Sequence, residues 1–453
     1  MNSREISTGF LNKINRNISK PRDIMILTIL VFIFMSILYL SATMIHGGLN
    51  APPQAGDGPD YDVIAFQLAK GHGFSYDWDN VEYRAPYLTQ PEIYKYLLQR
   101  SGSAITATRP PLFPYIMAAI YSLFGRNFSL VRIFNCMAMA LACTITFRII
   151  VRRFGIIPGI FCCALFALDD RLRSYAPQIM TESLACLLSS LVTWSLFHYA
   201  ENKKWLWVIF TGVFTGFAVL NRSILIVSLL FIFIIIYLLS DRSEKKFWNR
   251  ASLLQSSLFL IIALTLNVPW MIRNCIVSGE FYPLGTQGAI NLSAAYSDQA
   301  IQNGGVWFSL TNAGFFNELA KTNTGFELEL AKAHYSQSKA MEWIQKNYPK
   351  IPMLALRKII DLWVPRSYFQ VILLFLGFIG LFFFPRRTDL LICLGLLLSN
   401  TTAIALTWSV GDRFQIPIIP IVNICISICL WTGFICATDL RNSLFRLVTS
   451  ESD

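Results

Sequence analysis

The chain has 453 residues, of which 54% are hydrophobic and only 14% charged, with a mean hydropathy of +0.50 and a formal net charge of +11. A soluble protein of this length alternates polar and apolar sequence on the scale of domains. This chain instead repeats apolar runs of about 17–25 residues, long enough for an α-helix to cross the hydrocarbon layer. Its basic excess does not point to nucleic acid, because Lys and Arg mark the cytoplasmic ends of membrane helices.

In chain order, residues 1–23 form a polar tail with Arg4, Lys13, Arg16, Lys20 and Arg22, placed in the cytoplasm by the positive-inside rule. The first span is expected at 24–45. It reads as a retained signal anchor, because its apolar part exceeds a typical signal core and His46–Ala51 is a poor cleavage context. Residues 46–127 form a first outer loop with helical pieces near 59–70 and 91–100. Within it, Pro110–Phe124 is apolar but short for a crossing, and is expected as a partly inserted helix. Spans two to seven occupy 128–270, at 128–150, 156–172, 182–200, 205–221, 223–240 and 252–270.

A second outer loop covers 271–366 and carries two amphipathic stretches, Glu318–Gln345 and Ile351–Trp363. The second of these mixes apolar and cationic residues at helical spacing, as a helix lying on a membrane surface does. Trp307, Trp343 and Trp363 read as interfacial aromatics. Spans eight to ten lie within 367–437, at 367–384, 389–410 and 414–437, and 438–453 is a second cytoplasmic tail. This arrangement puts Arg148/Arg152/Arg153, Lys203/Lys204, Arg242/Lys245/Lys246/Arg250, Arg386/Arg387 and Arg441/Arg446 on one side of the membrane. The fold class is therefore an all-α polytopic bundle of about ten transmembrane helices. Both termini are cytoplasmic, and two large outer-face loops bear interfacial helices. No internal repeat is visible, so a transporter built from repeats gains no support. Of the ten cysteines, only Cys275 falls outside the apolar runs, and no His or further Cys completes a metal set around Cys425 and Cys429.

Ionisable residues beyond the cytoplasmic face collect at the outer ends of the expected helices. Asp57, Asp60 and Asp62 follow the first span. Arg109 precedes the short helix, and Asp169, Asp170, Arg171, Arg173 and Glu182 lie in the outer loop between the third and fourth spans or at its edge. Arg222, Arg273 and the pair Asp412-Arg413 sit at the remaining outer turns. Each alone has a bland alternative: Arg222 as a snorkelling end residue, Arg273 as an anchor beside Trp270, Asp412-Arg413 as a turn pair, Asp60 as a helix N-terminal residue. Asp62 reads as solvated. Together the arginines run against the positive-inside bias, and guanidinium forks match phosphate geometry.

A set of short motifs then appears in order. It begins with Asp57-x-x-x-Tyr61-x-x-Ile64-Ala65-x-x-Leu68-Ala69-x-Gly71-x-Gly73-Phe74 and Arg109-Pro110-Pro111-Leu112-x-Pro114. Phe124-Gly125, Arg132, and Tyr175 with Thr181-Glu182 follow. The set continues with Gly212-x-x-x-Gly216, Leu220-Asn221-Arg222, and Pro269-Trp270-x-x-Arg273-Asn274. It ends with Asp412-Arg413-Phe414-x-x-Pro417-x-x-Pro420. The set resembles the ArnT-like and protein O-mannosyltransferase-like glycosyltransferases, polytopic enzymes of the GT-C fold, over nearly the whole chain. The loop Gly285–Tyr296 also resembles a family element. One departure is Gly58, where many relatives carry a second acid or a serine.

The resemblance implies a glycosyltransferase that uses a polyprenyl-phosphate-linked sugar as donor. Transfer would be to a lipid, glycan or protein acceptor on the outer face of a bacterial inner membrane. It implies catalytic roles for Asp57 and Asp60, with Asp57 as base in an inverting displacement. Tyr61, Glu182 and Tyr175 are expected to bind substrate, and Arg109, Arg222, Arg273 and Arg413 to supply the lipid-phosphate ligands, two or three of them in contact. No cofactor and no obligatory metal are expected, because a monophosphate donor has less need of a divalent ion than a diphosphate. The rival reading is a transporter or flippase of a lipid-linked sugar, which calls for charges near the bilayer midplane and broken helices in paired halves.

Overall fold

In hydrocarbon every backbone N–H and C=O has to be satisfied within its own segment, so apolar runs of this kind become helices. The structure, a computed structural model, describes residues 21–54, 56–240 and 249–450. The basic residues Arg4, Lys13, Arg16, Lys20, Arg242, Lys245 and Lys246 lie outside the described residues.

The helices that matter here are α1 (Pro21–Ser41), α2 (Gly58–Ala69), α3 (Leu112–Phe124), α4 (Phe128–Phe154), α5 (Ile156–Leu168), α6 (Glu182–Asn202) and α7 (Trp205–Asn221). They continue with α8 (Ser228–Leu239), α9 (Arg250–Ser278), α10 (Gly325–Asn347), α11 (Ile351–Trp363), α12 (Tyr368–Gly380), α13 (Arg387–Leu406) and α14 (Ile419–Ser450). Among the described residues, six helical stretches are long and apolar enough to span a membrane: Pro21–Ile45, Phe128–Phe154, Glu182–Asn202, Arg250–Ser278, Arg387–Leu406 and Gly411–Thr438. The expected spans at 156–172, 205–221 and 223–240 are occupied by shorter apolar helices. The one at 367–384 begins after a 109° bend that separates it from α11. The short helix α3 buries Phe113, Pro114, Met117, Ala118 and Tyr121 on one face and exposes Leu123 and Phe124. At 13 residues it rises about 20 Å, short of the hydrocarbon thickness.

The core runs through α1, α4–α9, α13 and α14, with Met35, Tyr39, Cys143, Phe166, Phe259 and Ile424 fully or almost fully buried. Small residues allow the closest approach. A Cβ on Gly212 would lie 3.0 Å from the Phe259 carbonyl oxygen and from Ile262, and one on Gly216 would lie 3.0 Å from the Ala263 carbonyl. This is the spacing by which membrane helices pack backbone to backbone. It fixes α7 against α9, and so sets the heights of Arg222 at the end of α7 and Arg273 in the last turns of α9.

A second group of ion pairs lies at the end of the bundle opposite the two large loops. There Arg153 pairs with Asp389 at 3.0 Å and Arg152 with Glu201 at 2.7 Å, tying α4, α6 and α13 together. At the loop end, the all-helical expectation misses a two-stranded antiparallel ribbon, β1 (Ser75–Asp77) and β2 (Ser103–Ile105), with Tyr76 opposite Ala104. Gly71 and Gly73 both adopt positive φ, turning the chain out of α2 and into β1. The ribbon matters because Arg100 and Arg109 flank β2.

Asp62, expected to be solvated, is fully buried. It accepts hydrogen bonds from Tyr121 at 2.8 Å and from Tyr87, and it pairs with Arg126, whose guanidinium lies over Phe66, Tyr83, Tyr87 and Phe128. A carboxylate in this position holds α2 and α3 together and is withdrawn from chemistry. Gly216→Leu is expected to lower the thermal midpoint of the purified protein, with overpacking costing about 1–3 kcal/mol. An unchanged midpoint would show that α7 and α9 do not meet there.

Candidate active site

Asp57 ends the linker after α1 and stands as the first cap of α2, with φ −84° and ψ −9°. Its side chain makes no capping bond, which leaves both carboxylate oxygens to face outward from the helix start. Gly58 explains the departure from the family pattern. A Cβ there would sit 2.9 Å from Pro53 and 3.1 Å from the Ile179 carbonyl, so the start of α2 packs directly against the segment leading to Glu182.

The charged groups do not form separate pairs. They form one chain of alternating sign. Arg100 pairs with Asp60, and Asp60 with Arg109. Arg109 Nη2 reaches Asp57 Oδ1 at 2.8 Å, and Arg413 Nη2 reaches Asp57 Oδ2 at 2.6 Å. Arg413 then pairs with Glu182, and Glu182 with Arg222 at 3.2 Å. These seven side chains come from six stretches of sequence. Four guanidiniums against three carboxylates leave one net positive charge.

Several contacts hold the set in place. The Arg109 guanidinium lies 5.6 Å from the ring centroid of Tyr61, which stands edge-on to Phe113. Arg222 lies 5.0 Å from the ring centroid of Phe414, the neighbour of Arg413. Burial would raise the Asp57 carboxyl, but Arg109 and then Arg413 outweigh it and hold the group well below the usual carboxylate range. Its pairs therefore persist above the unfolded carboxylate range and are lost only as pH falls through that depressed value. Burial first, and Asp57 second, push the Tyr61 phenol up to about 12.

The structure thus brings together Asp57, Asp60, Tyr61, Glu182, Arg109, Arg222 and Arg413. Asp60 makes no cap bond; its two oxygens serve Arg100 and Arg109. Tyr175 closes a short helix, Asp170–Tyr175; burial and then Glu182 raise its phenol, so it stands within electrostatic reach of the site, with no hydrogen bond to it among the described residues. Arg273 is the correction. Its guanidinium donates to the carbonyls of Thr106 at 2.7 Å and Phe74 at 3.1 Å and to Asn274 Oδ1 at 3.0 Å, and lies over Phe74 and Trp270. It braces the segment bearing Arg109 and does not join the charged set. Asp412 likewise turns away, to Arg366 at 2.9 Å.

Three further residues support the site. Arg100 carries no motif in its sequence surroundings. Gln287, with its amide oriented to satisfy both neighbours, accepts from Arg109 Nη1 at 2.9 Å and donates to the Thr108 carbonyl at 3.1 Å. Glu329, buried on α10, accepts from the Ala107 amide at 2.9 Å, from Thr106 Oγ1 at 2.7 Å and from Thr286 Oγ1 at 2.6 Å. Beside it Gly285 takes φ +89° and its backbone lies so close to Ala107 that a Cβ would overlap the Ala107 carbonyl oxygen at 2.2 Å. The second large loop is thereby locked onto the segment that presents Arg109. A signal for Glu329 existed only in its position on an amphipathic helix, which does not reveal what it faces.

Along α6 from Glu182 and beside Pro417 lies a small, mostly apolar pocket, lined among others by Ser189, Thr215, Ala218, Ile232 and Asn400. Glu182 is fully buried, and its Oε2 has no hydrogen-bond partner among the described residues. The arrangement offers cations for a phosphate, a carboxylate between two of them, and a spare acceptor for a hydroxyl. Among the described residues, no three His, Cys, Asp or Glu side chains gather as a metal site.

The backbone as a whole matches solved structures. It aligns with ArnT from Cupriavidus metallidurans bound to undecaprenyl phosphate at a TM-score of 0.51 and 14% identity, over 90% of this chain and 60% of that one. The chain has a GT-C fold. A second match to that fold is the oligosaccharyltransferase of Archaeoglobus fulgidus in complex with zinc and sulfate, with TM-score 0.51, 13% identity, and coverage of 92% of this chain and 51% of that one. A third is the AglB oligosaccharyltransferase of Archaeoglobus fulgidus in complex with an inhibitory peptide and a dolichol-phosphate, with TM-score 0.51, 12% identity, and coverage of 93% and 52%. The chain therefore spans about 60% of the first of these GT-C proteins and about half of the others. Residues 108–272 match the sequence family described as dolichyl-phosphate-mannose-protein mannosyltransferase, a stretch that contains Arg109, Glu182 and Arg222. No curated protein matches the sequence.

Glu329→Ala is expected to raise amide hydrogen exchange at residues 106–109 and 285–287 while leaving α4 protected. Unchanged exchange at both segments would show that Glu329 does not hold the two loops together.

Proposed function

We propose that the protein is a membrane glycosyltransferase that moves a sugar from a polyprenyl-phosphate-linked donor to a lipid, glycan or protein acceptor. The observation that carries this reading is Asp57, a carboxylate bracketed by Arg109 and Arg413 at the loop end of the bundle. In the reaction, Asp57 takes the proton of an acceptor hydroxyl. The acceptor oxygen forms its bond to the anomeric carbon, and the bond from that carbon to the phosphate oxygen breaks. The electron pair leaves with the polyprenyl phosphate, and the proton passes from Asp57 to water. A direct displacement of this kind inverts the anomeric centre.

Charge supports the match. A phosphate-linked sugar donor carries one negative charge, and the site carries one net positive charge. Arg109, Arg222 and Arg413 stabilise the second charge that develops on the leaving phosphate, as preorganised donors do in other transferases. A phosphate monoester is a good leaving group, so the paired acid needed by glycoside hydrolases is not required. The same arginines make a divalent ion unnecessary in this reading. The free Oε2 of Glu182 suits a sugar or acceptor hydroxyl, and Tyr61 and Tyr175 remain the proposed substrate-binding aromatics. Membrane lipids surround the bundle. The proposed location is a bacterial inner membrane, with the site on the outer face and both termini cytoplasmic.

A transporter or flippase is disfavoured by the placement of the charges, which stand at helix ends on one side of the bundle. Membranes containing the protein are to be assayed for sugar transfer with a panel of radiolabelled polyprenyl-phosphate sugars. Asp57→Asn is expected to lower turnover by about 10²–10⁴-fold, the usual contribution of a general base, and chelation of divalent ions is expected to leave turnover unchanged. Near-normal turnover by Asp57→Asn removes Asp57 from the mechanism.

A further inference from the structure

The two arginines best placed to hold a donor phosphate are the two that occupy the base. Arg109 takes Oδ1 of Asp57 and Arg413 takes Oδ2, so neither oxygen is left without a cation. A carboxylate held this way is a poor proton acceptor. Each arginine also has a second anionic partner that is not Asp57. Arg109 keeps Asp60, and Arg413 keeps Glu182. Either guanidinium can therefore exchange Asp57 for another anion without becoming a buried, unpaired charge, which would cost several kcal/mol.

Building on the function proposed above, we propose that the donor's phosphate displaces Asp57 from Arg109 and Arg413, so that the base is unmasked only when a donor occupies the site. Donor binding then precedes acceptor activation, and the empty enzyme holds its carboxylate neutralised. After transfer, the proton on Asp57 passes to water. The restored carboxylate competes with the product lipid phosphate for the same two arginines and promotes its release.

The exchange has a thermodynamic consequence that does not depend on catalysis. Coupling between two binding events is reciprocal. If the phosphate weakens the hold of the arginines on Asp57, then Asp57 weakens their hold on the phosphate by the same factor. Removing the Asp57 charge must therefore tighten phosphate binding. A purely structural role for Asp57 gives no such gain.

The full chain in lipid nanodiscs is to be titrated with undecaprenyl phosphate, with undecaprenol as the uncharged chain and inorganic phosphate as the chainless anion. Asp57→Asn is expected to bind undecaprenyl phosphate roughly tenfold more tightly than the unsubstituted protein, the scale of one charge-assisted hydrogen bond. Undecaprenol should not distinguish the two. Asp57→Ser removes the same charge with a smaller side chain and is expected to rank with Asp57→Asn, and thermal unfolding checks that both are folded. Arg413→Ala should bind more weakly. Equal or weaker binding by both Asp57 variants overturns the exchange while leaving the site a phosphate site. Failure of every form, the unsubstituted protein included, to prefer undecaprenyl phosphate over undecaprenol overturns the reading of the site itself.

Discussion

The architecture at the loop end depends on one constraint: charges drawn from six stretches of sequence have to neutralise one another in a largely buried setting. An isolated ion in low-dielectric surroundings is expensive, and removal of one partner of a buried pair typically costs about 3–5 kcal/mol. The chain from Arg100 through Asp60, Arg109, Asp57, Arg413 and Glu182 to Arg222 avoids that cost by alternating sign. Each inner member has two partners of opposite charge. The set is therefore stable when empty and still able to exchange one partner for a ligand.

The rest of the loop end serves to bring those groups to one place. Gly58 lets α2 approach the segment before Glu182, and Gly212 and Gly216 let α7 approach α9. Arg273 and Glu329 grip the residues just before Arg109 from two directions, one through backbone carbonyls and the other through an amide and two hydroxyls. The ribbon of β1 and β2 fixes the separation of Arg100 and Arg109. The opposite end of the bundle has its own ion pairs, Arg153 with Asp389 and Arg152 with Glu201, so the helices are tied at both ends.

Much of this was legible in the sequence. The apolar runs and basic clusters place the helices, and the match of α11 to Ile351–Trp363 follows from its amphipathic spacing. Asp57, Arg109, Glu182, Arg222 and Arg413 were recognisable because acids and arginines at loop-end positions run against the usual charge bias. Arg273 had the same signature, an arginine following an apolar helix, yet it turns to backbone carbonyls. The direction of a side chain at a helix end depends on packing that no spacing rule encodes. Asp62 looked solvated because its partners, Tyr87, Tyr121 and Arg126, come from elsewhere in the same loop. Nothing local distinguishes Arg100, and the amphipathic helix that carries Glu329 does not reveal what it faces. The contact between Glu329 and Thr106 joins residues 223 positions apart.

The most direct test is an experimental structure of the protein with undecaprenyl phosphate bound. A phosphate is expected within hydrogen-bonding distance of Arg109 and Arg413, with the Asp57 carboxylate detached from both and Asp60 and Glu182 still in place. A phosphate bound elsewhere, with Arg109, Asp57 and Arg413 still joined, would contradict it.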